Sequence, residues 1–149
     1  MIFTVKEQTR LTDTVYRLTL TGDTSAITRP GQFVQIQLPG FYLRRPISVC
    51  DWDADTLTLI YKVVGEGTKA MTALKPGTKL DLLTGLGNGF DTSLCGDKPL
   101  LVGGGVGLPP MYGLCKALLR EGKHPSVVMG FNTAAEVFLE AEFRALGVP

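Results

Sequence analysis

Four glycines among five residues separate an apolar run from a helical pattern in "LLVGGGVGLPPMYGLCKALL". The N–H groups of such a loop and the positive end of the following helix dipole meet at one point, which favours binding of a phosphate. The glycines that would let an anion approach are Gly103, Gly104, Gly105 and Gly107. The pattern is neither G-x-G-x-x-G nor a P-loop, so a tight turn with close helix–strand packing stays open as the alternative.

A second group of residues with affinity for anions precedes a proline-started strand. Arg44 and Arg45 stand before Pro46 in "YLRRPISVC", where a guanidinium can form charge-assisted, often bidentate hydrogen bonds to a phosphate. The alternative is a solvated basic turn. In "IYKVVGEGTKAM" a further strand ends and a short helix begins, which supplies another anion-binding position. Two such positions in one barrel favour a pyrophosphate.

The elements that must position these residues are of two kinds. Alternation of apolar and polar residues over 1–96 predicts six strands with one short helical stretch between the last two. We expect them to form a small closed antiparallel barrel, because closure removes unpaired edges. Over 97–149 the pattern becomes strand, helix, strand, helix, with the second helix in "AAEVFLEAEFRALG". This predicts a parallel βαβα unit.

Composition and charge exclude several classes of protein. Fifteen Lys and Arg against 14 Asp and Glu leave a net charge of +1, which favours neither nucleic acid nor an anionic membrane. No signal peptide or membrane-length apolar run is present, so we expect a cytoplasmic location. Cys50, Cys95 and Cys115 are too far apart for a C-x-x-C metal site, and we expect free thiols and no bound metal. His124 is predicted to be a surface loop residue.

Four separated motifs together resemble the electron transfer subunits of class 1B dihydroorotate dehydrogenase, a branch of the ferredoxin reductase family. The motifs are, in order, Arg-Pro-Ile-Ser, Tyr-Lys with Gly-Glu-Gly-Thr, "LGNGF" and "LLVGGGVGLPP". The resemblance is collinear over essentially the whole chain. It implies an FAD-binding Greek-key barrel over 1–96, followed by an α/β domain over 97–149 that docks NAD(H).

The resemblance also implies a reaction and a partner. Electrons would pass between NAD(H) and a dihydroorotate dehydrogenase catalytic subunit through FAD and a 2Fe-2S cluster, within a heterotetramer of pyrimidine biosynthesis. It singles out no catalytic residue. Two other classes stay open: a different flavin reductase subunit, which would serve ferredoxin or a sulfur compound, and a non-enzymatic flavin-binding module.

The motifs imply which residues lie next to each cofactor. Arg45 would bind a phosphate, Ser48 would lie near the isoalloxazine, and Gly67 and Thr68 would hold the pyrophosphate through N–H groups and a hydroxyl. The full set implied for FAD is Arg45, Pro46, Ile47, Ser48, Ile60, Tyr61, Lys62, Gly67 and Thr68. The set implied for NAD(H) is Gly103, Gly104, Gly105 and Gly107.

Some of these assignments carry alternatives or departures from the family pattern. Many relatives have an aromatic residue where this chain has Ile47, so ring stacking by that residue is excluded. Tyr61 is equally well explained as a barrel aromatic, and Lys62 as an outward-facing charge. "LGNGF" is assigned to a turn that closes the barrel.

The end of the sequence departs furthest from the family. A dinucleotide half-site needs a βαβαβ unit, and "RALGVP" ends the chain before a third strand. The family's cluster-ligating cysteines have no counterpart among the three cysteines here. We therefore expect a C-terminally truncated chain that holds FAD without an iron–sulfur cluster. Its NAD(H) site would be half built, and the chain alone would be weakly active or inactive.

Overall fold

A computed structural model describes residues 1–149. Six antiparallel strands close into a barrel in the order β1-β2-β5-β4-β3-β6. The strands are β1 (Ile2–Arg10), β2 (Val15–Thr21), β3 (Phe33–Ile36), β4 (Arg45–Trp52), β5 (Thr56–Lys62) and β6 (Lys79–Leu86). Three consecutive strands, β3 to β5, lie side by side and β6 returns beside β3, which is a Greek key. The predicted barrel is confirmed.

Alternation in the strands places one set of side chains inside the barrel. Leu18 and Leu20 of β2 lie opposite Leu59 and Leu57 of β5, and all four are fully buried. Such cross-strand pairs stabilise a sheet and fix its register, because a shift of one residue would turn every leucine outward. The register in turn determines which residues of β4 and β5 reach the barrel rim.

A short helix covers one end of the barrel. α1 (Glu66–Met71) lies between β5 and β6 and inserts the fully buried Met71 into the core. Gln8 of β1 donates from Nε2 to the carbonyl oxygen of Met71 at 3.0 Å, and thereby fixes the helix to the barrel wall. The turn before α1 is held at the rim as a result.

The second half is a small α/β unit. It contains β7 (Leu100–Gly104), a 3-10 turn (Gly105–Gly107), α2 (Leu108–Arg120), β8 (Ser126–Gly130) and α3 (Glu140–Ala145). β7 and β8 pair in parallel from Leu100–Ser126 to Gly104–Gly130. The predicted βαβα order is confirmed. Among the helices, the longest has 13 residues, and none has the length and hydropathy that crossing a bilayer requires.

The predicted second helix is wrong over its first half. Residues 134–136 form a 3-10 turn, and α3 begins only at Glu140. Phe138 and Leu139 are both buried, and Leu139 adopts a left-handed backbone with φ of 67°. The left-handed backbone of Leu139 interrupts the helix directly before Glu140, because an α-helix needs φ near −60° at every residue.

The two halves share a hydrophobic core. Val15, Cys50 and Ile60 from the barrel pack with Leu108 and Leu114 of α2. Burial, together with the charge of Asp51, raises the pKa of the Cys50 thiol to about 12. Cys50 therefore serves as a small apolar side chain in this interface and is inert as a nucleophile near neutral pH.

Candidate functional site

The residues predicted to contact FAD come together in one cleft at the barrel rim. This rim cleft has a volume of about 360 Å³. It is lined by Arg45, Pro46, Ile47, Ser48, Ile60, Tyr61, Lys62, Val64, Thr68 and Val106. β4 and β5 are antiparallel neighbours, so the start of β4 and the end of β5 meet at the same edge. Of the predicted FAD residues, only Gly67 is not part of the lining.

Arg45 is a cation without an acidic partner. No carboxylate lies within ion-pair distance of its guanidinium. Its Nη1 donates to the carbonyl oxygen of Leu43 at 2.6 Å, and its Cζ lies 4.9 Å from the centroid of the Phe41 ring. The Arg45 side chain crosses the backbone of Gly67, where a Cβ would clash with Nε. Gly67 is thus required for the close approach of Arg45.

Arg44 has a structural role instead. Its Nη2 lies 3.0 Å from a carboxylate oxygen of Asp81 in β6, and its Nη1 donates to the Asp81 carbonyl oxygen at 3.1 Å. Hydrogen bonds from the N-terminal ammonium and from Arg44 hold the pKa of Asp81 below its ordinary value. The two neighbouring arginines therefore have separate tasks, and only Arg45 has its charge available to a ligand.

The first turn of α1 has backbone donors without a partner in the protein. No acceptor within the protein takes the backbone N–H groups of Glu66, Gly67 and Thr68. The Thr68 hydroxyl oxygen accepts the N–H groups of Val64 and Gly65 at 2.9 and 3.1 Å and donates to the Gly65 carbonyl oxygen at 3.1 Å. Because that hydroxyl is fully used by these three hydrogen bonds, Thr68 shapes the start of α1 and has no hydroxyl donor left for a ligand.

Thr68→Val is expected to lower the free energy of unfolding by about 1 kcal/mol, because three local hydrogen bonds are lost without a change of volume. We expect a several-fold rise in the FAD dissociation constant as the turn relaxes. Thermal unfolding and a flavin fluorescence titration measure both quantities. Thr68→Ser, which keeps the hydroxyl, should behave like the wild type. Equal losses in both variants would contradict the role given to the hydroxyl.

Tyr61 and Lys62 differ in how they face the rim cleft. Tyr61 is buried, its hydroxyl donates to Gln8 Oε1 at 2.5 Å, and its ring stacks on Tyr16 with centroids 5.8 Å apart. Burial raises the pKa of Tyr61, so the phenol stays neutral. Tyr61 is therefore first a barrel aromatic that offers only part of its ring to the cleft. Lys62 is exposed and forms no ion pair.

A second cleft lies at the carboxyl ends of β7 and β8. This strand-end cleft has a volume of about 550 Å³. Its lining is Thr12, Thr14, Val15, Lys62, Gly104, Gly105, Val106, Gly130, Phe131, Asn132, Glu136 and Phe138. Lys62 and Val106 line both clefts, so the two are contiguous. In open α/β sheets, ligands bind at this end of the strands.

The four glycines predicted to contact NAD(H) fall into different environments. Gly104 and Gly105 line the strand-end cleft, and Gly105 has a φ of 52°. Gly103 instead permits packing, since a Cβ there would lie 2.9 Å from Leu108 Cδ2. Gly107 ends the 3-10 turn before α2 and faces open space. The packing alternative therefore applies to Gly103, while phosphate binding at Gly104 and Gly105 stays a prediction.

Several residues that line the strand-end cleft are not among the site residues predicted from the sequence. Asn132 and Glu136 follow β8, and the rule that ligands bind at the carboxyl ends of parallel strands could have identified them. Thr12 and Thr14 come from the turn between β1 and β2, and only the packing of the two halves brings them to the cleft. No sequence signal identifies that contact.

Comparison with known proteins identifies relatives of this chain. No model of a known protein family matches the chain. Over 97% of its length, the chain is 43% identical to the electron transfer subunit of dihydroorotate dehydrogenase B (NAD⁺) from Geobacillus thermodenitrificans. Over 96% of its length, it is 42% identical to the subunit of the same name from Listeria monocytogenes. The chain is a relative of these electron transfer subunits. It spans 59% of the length of each, and the resemblance drawn from the motifs is confirmed.

Solved structures support the fold of this electron transfer subunit relative. An NADH-dependent reduced ferredoxin-NADP oxidoreductase matches 99% of the chain with a TM-score of 0.86 and 28% identity, and the match covers 55% of that protein. The FAD/NAD-binding domain of a Vibrio cholerae nitric oxide dioxygenase matches 97% with a TM-score of 0.85 and 21% identity, over 68% of its own length. At 21% identity, the match to the dioxygenase domain concerns the fold alone. Together they confirm the barrel followed by a parallel α/β unit.

Proposed function

We propose that this chain binds FAD in the rim cleft and transfers electrons between that flavin and NAD(H), as an electron transfer subunit of a dihydroorotate dehydrogenase. The observation that carries the proposal is the pairing of the free Arg45 guanidinium with unpaired N–H groups at Gly67 and Thr68. A pyrophosphate is the part of FAD that such a set of donors would recognise. Relatives named for this activity at 42–43% identity favour it over another flavin reductase.

The residues present fit FAD. Gly67 leaves the space that Arg45 crosses, and a side chain there would fill it. Arg45 and the N–H groups of residues 66–68 would hold the pyrophosphate, while Ser48 and Ile60 would border the isoalloxazine. When bound, FAD supplies the ability to accept a hydride and to pass on electrons. The protein's part is to orient the flavin and to leave one face toward the strand-end cleft.

The strand-end cleft would take NAD(H). Gly104 and Gly105 allow close approach to the backbone, and the contiguity of the two clefts at Lys62 and Val106 would bring a nicotinamide next to the flavin. We accordingly divide the chain into an FAD-binding barrel, 1–96, and part of an NAD-binding α/β domain, 97–149.

The partner would be a dihydroorotate dehydrogenase catalytic subunit, assembled with this subunit into a heterotetramer in the cytoplasm. Within residues 1–149, no three His, Cys, Asp or Glu side chains group as metal ligands. The 2Fe-2S cluster, which the resemblance implies, stays a proposal for the assembled enzyme. That the chain by itself is weakly active or inactive stays a prediction.

Reconstitution with FAD tests the proposal. Purified protein mixed with excess FAD and desalted should retain a flavin absorbance spectrum. Anaerobic addition of NADH should bleach that spectrum faster than NADPH does. A protein that stays colourless and leaves added FAD free would contradict the proposal and favour a binding module for another ligand. Transfer to a catalytic subunit is then measured by dihydroorotate-dependent flavin reduction in the mixed subunits.

A further inference from the structure

Tyr42 and Leu43 are apolar side chains that the fold leaves in water beside the rim cleft. Tyr42 is 100% exposed and Leu43 is 67% exposed, in the loop between β3 and β4. Single exposed apolar residues are ordinary, but two adjacent ones next to a ligand cleft suggest a contact surface. Loops held by a rigid scaffold commonly carry binding residues.

The loop that carries Tyr42 is fixed on both sides. Phe41 packs against the barrel core, and its ring lies under the Arg45 guanidinium. Arg44 is held by Asp81, and Arg45 donates to the Leu43 carbonyl oxygen at 2.6 Å. The exposure of Tyr42 is thus a property of an anchored loop, and its ring is presented at a defined place next to Arg45.

The direction of β4 locates the loop relative to the cofactor. Ser48, Arg45 and Tyr42 follow one another backwards along the chain, with Arg45 at the first residue of β4. If the isoalloxazine lies by Ser48 and the pyrophosphate by Arg45, the adenosine half continues past the start of β4. Arg45 is the first residue on this strand that lines the rim cleft, so an adenosine half that extends in this direction would reach the loop before β4.

We propose that Tyr42 stacks on the adenine ring of FAD, an inference that rests on the FAD site proposed above. Nucleobases stack on exposed aromatic side chains next to the positive charges that bind the phosphates. Leu43 extends the apolar area next to the ring. A surface for docking a protein is the competing use of the same loop, and the experiment below separates the two.

The test compares ligands that contain different parts of FAD. Tyr42→Ala is expected to raise the FAD dissociation constant about tenfold, while Tyr42→Phe stays near the wild type, since stacking needs the ring and not the hydroxyl. FMN, which lacks the adenosine half, should bind both proteins equally. Competition by ADP, which lacks the flavin, should weaken by the same factor as FAD binding. Leu94→Ala, an exposed apolar residue outside the cleft, is the control.

The outcomes separate this inference from the FAD site itself. If the wild type binds neither FAD nor FMN, the proposed function fails. If the wild type binds FAD and Tyr42→Ala binds it equally well, only the adenine contact is overturned. Loss of catalytic-subunit binding by Tyr42→Ala at unchanged FAD affinity would assign the loop to protein docking. Equal losses for FAD and FMN would likewise overturn the adenine contact.

Discussion

Gly67→Ala is expected to weaken FAD binding by roughly ten- to hundredfold, because a charge-assisted hydrogen bond to phosphate contributes about 1.5–3 kcal/mol. The new methyl group would clash with Arg45 Nε, so the guanidinium must move away from the start of α1. The obstacle is the far end of a flexible side chain, and the barrel should fold normally. A flavin fluorescence titration measures the affinity, and thermal unfolding checks the fold.

Gly65→Ala is the matched control. It makes the same change two residues earlier in the same turn, at an extended residue where a Cβ meets nothing within 4 Å. It should bind FAD like the wild type. A loss equal to that of Gly67→Ala would mean that the turn tolerates no methyl group at all, and the argument through Arg45 would fail.

A double-mutant cycle shows whether Gly67 acts through Arg45. Arg45→Ala alone should cost the same ten- to hundredfold in FAD affinity, since the phosphate loses its cation. If the two residues form one unit, Gly67→Ala adds little once Arg45 is gone. Full additivity would show that Gly67 contacts the cofactor independently of the arginine.

The sequence predicts the barrel because the alternation of apolar and polar residues depends only on neighbouring residues along each strand. Alternation along β2 and β5 assigns the inner face residue by residue, and the leucine pairs between the strands agree with it. The residues of the rim cleft can be predicted in the same way, because the proline-started strand and the Gly-Glu-Gly-Thr segment are recognisable as motifs in the sequence. The residues within each motif are close in sequence and therefore also lie close in space.

The sequence cannot predict roles that depend on distant residues. Arg44 and Arg45 are identical in type and adjacent, and Asp81 on β6 decides which of them is neutralised. The hydroxyl of Thr68 forms its hydrogen bonds with neighbouring backbone groups, such as the Gly65 carbonyl oxygen, and the residue type alone does not reveal this. The break before α3 lies at the left-handed residue Leu139, a backbone conformation that the helical periodicity of the sequence does not reveal.

The packing of α2 on β4 sets the position of the glycine loop relative to the barrel, and Gly113 lies at this contact. A Cβ at Gly113 would lie 2.7 Å from the carbonyl oxygen of Cys50, which is backbone and cannot rotate away. Lys116, one turn further along, forms an ion pair with Asp51 at 2.7 Å and holds the same two elements together. α2 also begins directly after the glycine loop, so a shift of the helix moves Gly104 and Gly105 relative to Lys62.

Gly113→Ala is therefore expected to slow reduction of bound FAD by NADH by roughly tenfold or more, since a misplacement near 1 Å can cost about a hundredfold in rate. FAD affinity should change little, because the proposed FAD contacts at Arg45 and residues 66–68 lie outside the α2–β4 contact. Stopped-flow reduction at saturating NADH measures the rate. Gly96→Ala, the same substitution with nothing within 4 Å, is the control. Rapid reduction in Gly113→Ala, equal to the wild type, would show that the spacing of the halves does not limit hydride transfer.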